Sequence, residues 1–228
     1  MLADVSNTVE GIKDRFLMDS RKHSNDFRQH ILYYYNHFAC FYDLGEFIRR
    51  GTRRKVLRLS GWQPEEKVLD VCTGTGEVAL TFARQGAIVK GVDLARGMLK
   101  RAITKSLGAN PTWMEMDATD LCFRDKSFDI STISLALHHM PQLIQIRVLQ
   151  EMRRVTRRLI VIIEPHVPFN ARLWAVWAKI APLIDESEYM HEWVRQDFPN
   201  TCHSAGLKVE FAMVTTLGLH RITLCSPE

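Results

Sequence analysis

Three aspartates, Asp70, Asp93 and Asp117, stand at or beside the ends of short apolar runs, and a pair of glycines, Gly74 and Gly76, follows the first of them. A glycine turn between a strand and a helix lets a ligand approach the backbone beside the helix N-terminus. A carboxylate just ahead of such a turn repels a pyrophosphate and attracts an ammonium. Asp93 can accept both hydroxyls of a ribose, and Asp117 can accept from an exocyclic amine of adenine. The set points to a cationic nucleoside ligand without phosphates. A dinucleotide is the rival: Gly74, Gly76 and Ala79 satisfy the G-x-G-x-x-A spacing, and Asp93 lies about twenty residues on, where a ribose-binding acid belongs.

Proton-transfer candidates cluster further along. His138 and His139 follow the fourth apolar run, and Glu164 and His166 close the fifth. Histidine titrates near neutrality and suits a base; His139 is the first choice, with Glu164 as a base or an orienting partner. Tyr35 and Tyr42 supply phenolic donors or an aromatic wall.

These residues need a scaffold that brings strand ends together. "KVLDVC", "AIVKGVDL", "TWMEMD", "FDISTISLAL" and "RLIVIIEP" read as strands, with helical stretches at Glu77 to Arg84, Gly97 to Ser106 and Pro141 to Thr156 between them. Strand and helix in alternation imply a doubly wound α/β domain, its mostly parallel sheet covered by helices on both faces. In such sheets the ligand crevice lies at the carboxyl ends of the strands, where the three acids fall. "LKVEFAMV" and "LHRITLCS" are close enough to form an antiparallel hairpin at one edge. Residues 1–60 are expected to form an N-terminal arm and helical lid, and 61–228 the ligand-binding domain, with a helical insertion at about 166–204. The insertion carries Trp174 and Trp177 on an apolar helical face.

The chain has 228 residues, 46% hydrophobic and 25% charged, which suits one sizeable core. No apolar run approaches the roughly 20 residues that span a bilayer, and the N-terminus lacks a signal peptide's apolar stretch, so a soluble, cytoplasmic protein is expected. Five dispersed cysteines without a C-x-x-C pair suggest neither disulfides nor a metal site. A net charge of +4 is too small to argue for nucleic acid. The basic residues are uneven, however. Arg49 to Arg58 forms one cluster, and Arg153, Arg154, Arg157 and Arg158 another. The first reads as a solvated face, or as a surface that rests on anionic lipid or meets a substrate phosphate.

"VLDVCTGTGEVAL", "GVDLARGML", "MDATDLCFRDKSFDISTISLALHHM" and "RLIVIIEP" together resemble the successive motifs of class I S-adenosylmethionine-dependent methyltransferases, a Rossmann-like fold. Within that class the chain is similar to the UbiE-like C-methyltransferases of ubiquinone and menaquinone biosynthesis, from about Tyr35 onward. The resemblance implies that Asp70, Thr73, Gly74 and Gly76 surround the methionine part of S-adenosylmethionine. It implies that Asp93 holds the ribose with Leu94 and Met98 beside it, that Asp117 and Ala118 flank the adenine, and that Ser134 and Leu135 lie near the methionine carboxylate and sulfonium. It places Tyr42 and Asp43 over the cofactor. Two departures stand out. Cys72 sits where much of the superfamily has glycine, so the loop should be more crowded, and the loop before the fifth strand is unusually short.

The expected activity is methyl transfer from S-adenosylmethionine, leaving S-adenosylhomocysteine, to a small hydrophobic or amphipathic acceptor, quinol-like or lipid-like. Tyr35, Trp174, Trp177 and His166 would line its pocket. A phospholipid amine N-methyltransferase and a non-catalytic S-adenosylmethionine-binding protein are the alternatives. Nucleic acid is not expected as a partner, peripheral membrane contact through Arg49 to Arg58 is, and the oligomeric state, a dimer included, stays open.

Overall fold

The structure is a computed structural model that describes residues 46–166, 189–215, 218 and 220–228. Strand β1 (Lys67–Val71) lies inside the sheet, third of its seven strands. Val68, Leu69 and Val71 are apolar and wholly buried, two of them β-branched, which suits a strand covered on both faces. Around it run β2 (Ile88–Asp93), β3 (Thr112–Glu115), β4 (Phe128–Ser134), β5 (Thr156–Pro165), β6 (Leu207–Val214) and β7 (His220–Pro227). Their order is β3-β2-β1-β4-β5-β7-β6. The first five strands are parallel, whereas β7 runs antiparallel to both β5 and β6. The expected hairpin is therefore present, with its second strand inserted between β5 and the edge strand β6.

Helices α1 (Glu46–Ser60), α2 (Glu77–Ala83), α3 (Arg96–Lys105), α4 (Gln142–Val155), α5 (Met190–Arg195) and α6 (Phe198–Ser204) complete the fold. Alternation along the strands sorts the core into two layers. Val68, Ile130, Val161 and Ile163 face Val56 of α1 and Val78, Ala79 and Phe82 of α2. Leu69, Ile133, Ile160 and Ile162 face Val148, Leu149 and Met152 of α4 and Cys202 of α6. Each such aliphatic side chain contributes roughly 1.5–3 kcal/mol by leaving water, and together they hold the carboxyl ends of β1, β2 and β4 at one edge.

The expected short connection before β5 is shorter still, because Thr156 is at once the C-cap of α4 and the first residue of β5. Its hydroxyl donates to the Met152 carbonyl at 2.5 Å and meets Ser131 Oγ at 2.6 Å, which satisfies a helix-end carbonyl without a turn.

The second basic cluster is consumed internally. Arg153 donates to the Glu228 carbonyl, Arg154 bridges Glu151 and Asp125, Arg157 meets Asp129, and Arg158 donates to both oxygens of Glu66. The first cluster is divided by helical phase. Arg50, Arg54 and Arg58 are exposed on one face of α1, while Arg53 turns inward and is 9% exposed. Among the described residues, no helix is long and apolar enough to cross a membrane.

Candidate active site

The turn after β1 is organised by Asp70. Gly76 is the N-cap of α2 at φ 82° and has no side chain to satisfy the first helical N–H groups. Asp70, 1% exposed, does so from the strand: its Oδ2 accepts the Ala79 N–H at 3.2 Å and the Thr73 hydroxyl at 2.5 Å. Its Oδ1 accepts the Thr132 hydroxyl at 2.5 Å. The helix dipole favours an anion here. Three neutral donors thus hold the carboxylate in place beside the turn. Its charge is not cancelled by any of them, and burial pushes its pKa up to about 6.

Asp93 ties the second strand to the same turn. Its Oδ2 accepts the Gly74 N–H at 2.7 Å and its Oδ1 the Ala95 N–H at 2.8 Å, while burial raises its pKa. A carboxylate has about four lone-pair sites, so capacity remains for hydroxyl donors. Asp117 Oδ1 accepts the backbone N–H and the hydroxyl of Thr119, both at 2.8 Å.

The two glycines serve different ends. A Cβ on Gly74, at φ 55°, would meet nothing within 4 Å, which leaves the turn open to a ligand. A Cβ on Gly76 would lie 2.5 Å from Trp113 Cη2 and 2.9 Å from Ala102 Cβ. Gly76 is therefore held to glycine by the packing of Trp113 against α3 and by its left-handed φ of 82°. Cys72 is partly buried and packs against the core, and its own backbone is left-handed at φ 51°, a strain of about 1–2 kcal/mol. Burial and the surrounding acids Asp93, Asp70, Asp117 and Glu164 push its thiol pKa well up.

A cleft opens beside the turn. Asp70, Cys72, Thr73, Gly74, Thr75, Glu77 and Val78 form one side, and Ser134, Leu135 and Ile163 continue it at the ends of β4 and β5. The opposite wall comes from Thr52, Arg53 and Val56 of α1 and from His220 at the start of β7. Thr52 Oγ1 and His220 Nδ1 are 3.5 Å apart. Arg53 reaches Glu77 at 3.5 Å, and Lys105 holds Glu77 Oε1 at 2.9 Å.

Of the candidate ligand-binding residues, Asp70, Thr73, Gly74, Ser134 and Leu135 line this cleft, and Asp93 touches its turn. Leu94, Asp117 and Ala118 lie further along, beside the adjoining ends of β2 and β3. Met98 is 2% exposed, on the buried face of α3.

The base candidates are rearranged. His138 and Glu164 are each 2% exposed, with His138 Nδ1 2.6 Å from Glu164 Oε2. Glu164 Oε1 also accepts the N–H groups of Ala136 and Leu137 at 3.1 and 2.9 Å. Glu164 thus caps the short helix Leu137–His139, and neither residue lines the cleft. His138 and Glu164 are thus buried against each other, an arrangement that suits Glu164 as an orienting partner. His139 is half-buried with its ring 4.0 Å from that of His138. His166 is half-buried after β5, its pKa lowered by burial and then by Arg221. Tyr35, Tyr42, Asp43, Trp174 and Trp177 lie outside the described residues.

Three contributors escaped the sequence reading. Thr132 was hidden because its partner is 62 positions away, and His220 because its place depends on β7 pairing with β5, opposite Pro165. Arg53 could have been found from helical phase, since it falls one position ahead of the exposed Arg54 and three ahead of the buried Val56.

Comparison with known proteins agrees with this geometry. Residues 68–158 match the family model described as a methyltransferase domain. The chain is 29% identical over 178 residues to a 2-phytyl-1,4-naphtoquinone methyltransferase of Trichormus variabilis, covering 70% of this chain and 77% of that protein. It is 36% identical over 110 residues to a ubiquinone/menaquinone biosynthesis C-methyltransferase of Bdellovibrio bacteriovorus, 46% of either chain. The fold superposes with a TM-score of 0.64 on the magnesium protoporphyrin IX methyltransferase of Synechocystis solved with its methyl donor bound, at 17% identity, covering 89% of this chain and 97% of that one.

Proposed function

We propose that this chain, which is a class I S-adenosylmethionine-dependent methyltransferase resembling the quinone-biosynthesis C-methyltransferase group, methylates a small hydrophobic acceptor of the quinol type. The observation that carries the acceptor class is the similarity, over 70% of the chain, to a relative whose name specifies a phytyl-naphthoquinone. The cleft fits the methyl donor. The open face of Gly74, the uncancelled charge of Asp70 and the remaining acceptor capacity of Asp93 suit an ammonium and a ribose without phosphates.

Bound there, S-adenosylmethionine supplies a methyl group on a positively charged sulfur, which is already strongly electrophilic. The chain's work is then to align the acceptor and exclude water. Asp93 would hold the ribose, with Leu94 beside it, and Asp117 and Ala118 would flank the adenine. Ser134 and Leu135 would bound the methionine end, and Val56 and Ile163 would offer apolar surface to the acceptor. Removal of a proton from a quinol hydroxyl or an activated ring carbon calls for a base at the acceptor side. Among the described residues, His220 is the histidine that lines the cleft, and we assign it that role in place of His139. A lipid-soluble acceptor would bring this chain to a membrane surface, with the exposed arginines of α1 towards anionic headgroups.

The test is methyl transfer from labelled S-adenosylmethionine to a demethylated naphthoquinol and, in parallel, to phosphatidylethanolamine. Transfer to the quinol carbon supports the reading. Transfer to the amine alone would replace it with the phospholipid alternative. His220→Gln should lower kcat by about 10²-fold or more while leaving S-adenosylhomocysteine affinity unchanged; unchanged kcat would remove His220 from the chemistry.

A further inference from the structure

We infer that a second site lies beside the cofactor cleft, a groove between α1 and α2 that holds a phosphate-bearing anion. Arg50, Arg53 and Arg54 line it from α1, and Glu77, Arg84 and Gln85 from α2 and its C-terminal end. Arg50 and Arg54 are four positions apart and share one helical face, whereas Arg53 closes the inner end. Among the described residues that line it, four arginines stand with one carboxylate. That carboxylate is already engaged, because Lys105 holds Glu77 Oε1 at 2.9 Å and Arg53 approaches Oε2 at 3.5 Å. Among the described residues of the groove, positive charge is in excess.

The other arginine cluster shows what this chain does with guanidinium groups that serve structure alone. Arg153, Arg154, Arg157 and Arg158 all end on carboxylates or carbonyls of the chain. Arg50, Arg54 and Arg84 are exposed, and among the described residues no hydrogen bond or ion pair is formed with their side chains. Like charges four apart on a helix are mildly destabilising, so the arrangement costs stability that an occupant would return. Guanidinium forks match the oxygens of a phosphate in pairs, and the Gln85 amide adds a neutral donor. Arg53 and Glu77 line both the groove and the cofactor cleft, so an anion here abuts the wall of the active site. The phosphate can belong to a lipid headgroup or to a soluble phosphoester, since the recognising chemistry is the same. The inference does not rest on the quinol assignment.

Calorimetric titration with inorganic pyrophosphate, at low salt and with S-adenosylhomocysteine saturating, tests the site directly. Sedimentation with phosphatidylglycerol vesicles, against phosphatidylcholine vesicles, separates the two sources. Arg54→Glu should weaken binding by about tenfold or more. Arg124→Glu, an equal charge reversal on an exposed arginine elsewhere, should change it by less than about twofold. Arg50→Glu is the second variant should Arg54→Glu not fold. Arg54-dependent binding of pyrophosphate supports a soluble phosphoester, and Arg54-dependent binding of the anionic vesicles alone supports a headgroup. Absence of binding to both probes, equal losses in the Arg54 and Arg124 variants, or displacement of pyrophosphate by S-adenosylhomocysteine would overturn the inference.

Discussion

Thr132 donates its hydroxyl to Asp70 Oδ1 at 2.5 Å, across the pairing of β4 with β1 in which the two residues sit opposite each other. The central strand pair thereby sets the carboxylate that caps α2. Thr132→Val keeps the shape and deletes the donor. Urea unfolding should show a loss of about 1–3 kcal/mol, and S-adenosylhomocysteine should bind more weakly. Unchanged values for both would mean that Thr73 and the Ala79 N–H suffice.

Asp70 titrates near 6, above its ordinary 3.8, chiefly because burial penalises the charged form. The folded state therefore binds this proton more tightly than the unfolded one. Its contribution to the stability of the ligand-free protein is greatest below about 4, declines as pH rises to about 6, and is flat above that. Affinity for a cationic ligand should run the other way, tightening from pH 5.5 to 7.5 as the carboxylate ionises. Asp70→Asn should flatten both profiles; an affinity profile of unchanged slope in that variant would assign the titration to another group.

Gly74 and Gly76 should separate binding from folding. Gly76→Ala drives a methyl group into Trp113 and Ala102, and should cost more than about 3 kcal/mol or prevent folding. Gly74→Ala meets open space and pays only the left-handed backbone, about 1–2 kcal/mol. Its larger effect should be on S-adenosylhomocysteine affinity. Comparable melting losses in the two variants would contradict this division.

Glu164→Ala leaves the buried Ala136 and Leu137 N–H groups and the His138 ring without their shared acceptor. A loss of about 3–5 kcal/mol is expected, with Glu164→Gln recovering part of it. Activity should fall in proportion to folded protein at the assay temperature. A Glu164→Gln enzyme of wild-type stability and much reduced kcat would return this pair to the chemistry.

The fold was legible where the signal is local and periodic. Apolar runs such as Ile160 to Ile163 alternate between two buried faces, and a run buried on both sides can only be an interior strand. The turn after β1 was legible too, because glycine placement and a preceding acid are short-range features. Arg53 was legible in principle from helical phase, although the cluster around it drew attention to charge instead of direction.

From the residues by themselves came the alternation of strand and helix, the acids at strand ends and the open turn at Gly74, all consequences of backbone preference and spacing within a few residues. Only the tertiary structure decided what those residues touch. Asp70 met Thr132, Gly76 met Trp113, Glu164 took His138 into the core, and His220 arrived at the cleft on a strand that slipped between β5 and β6. Each pairing joins positions dozens of residues apart or depends on which strands become neighbours. Packing of the whole core settles that, and no local pattern encodes it.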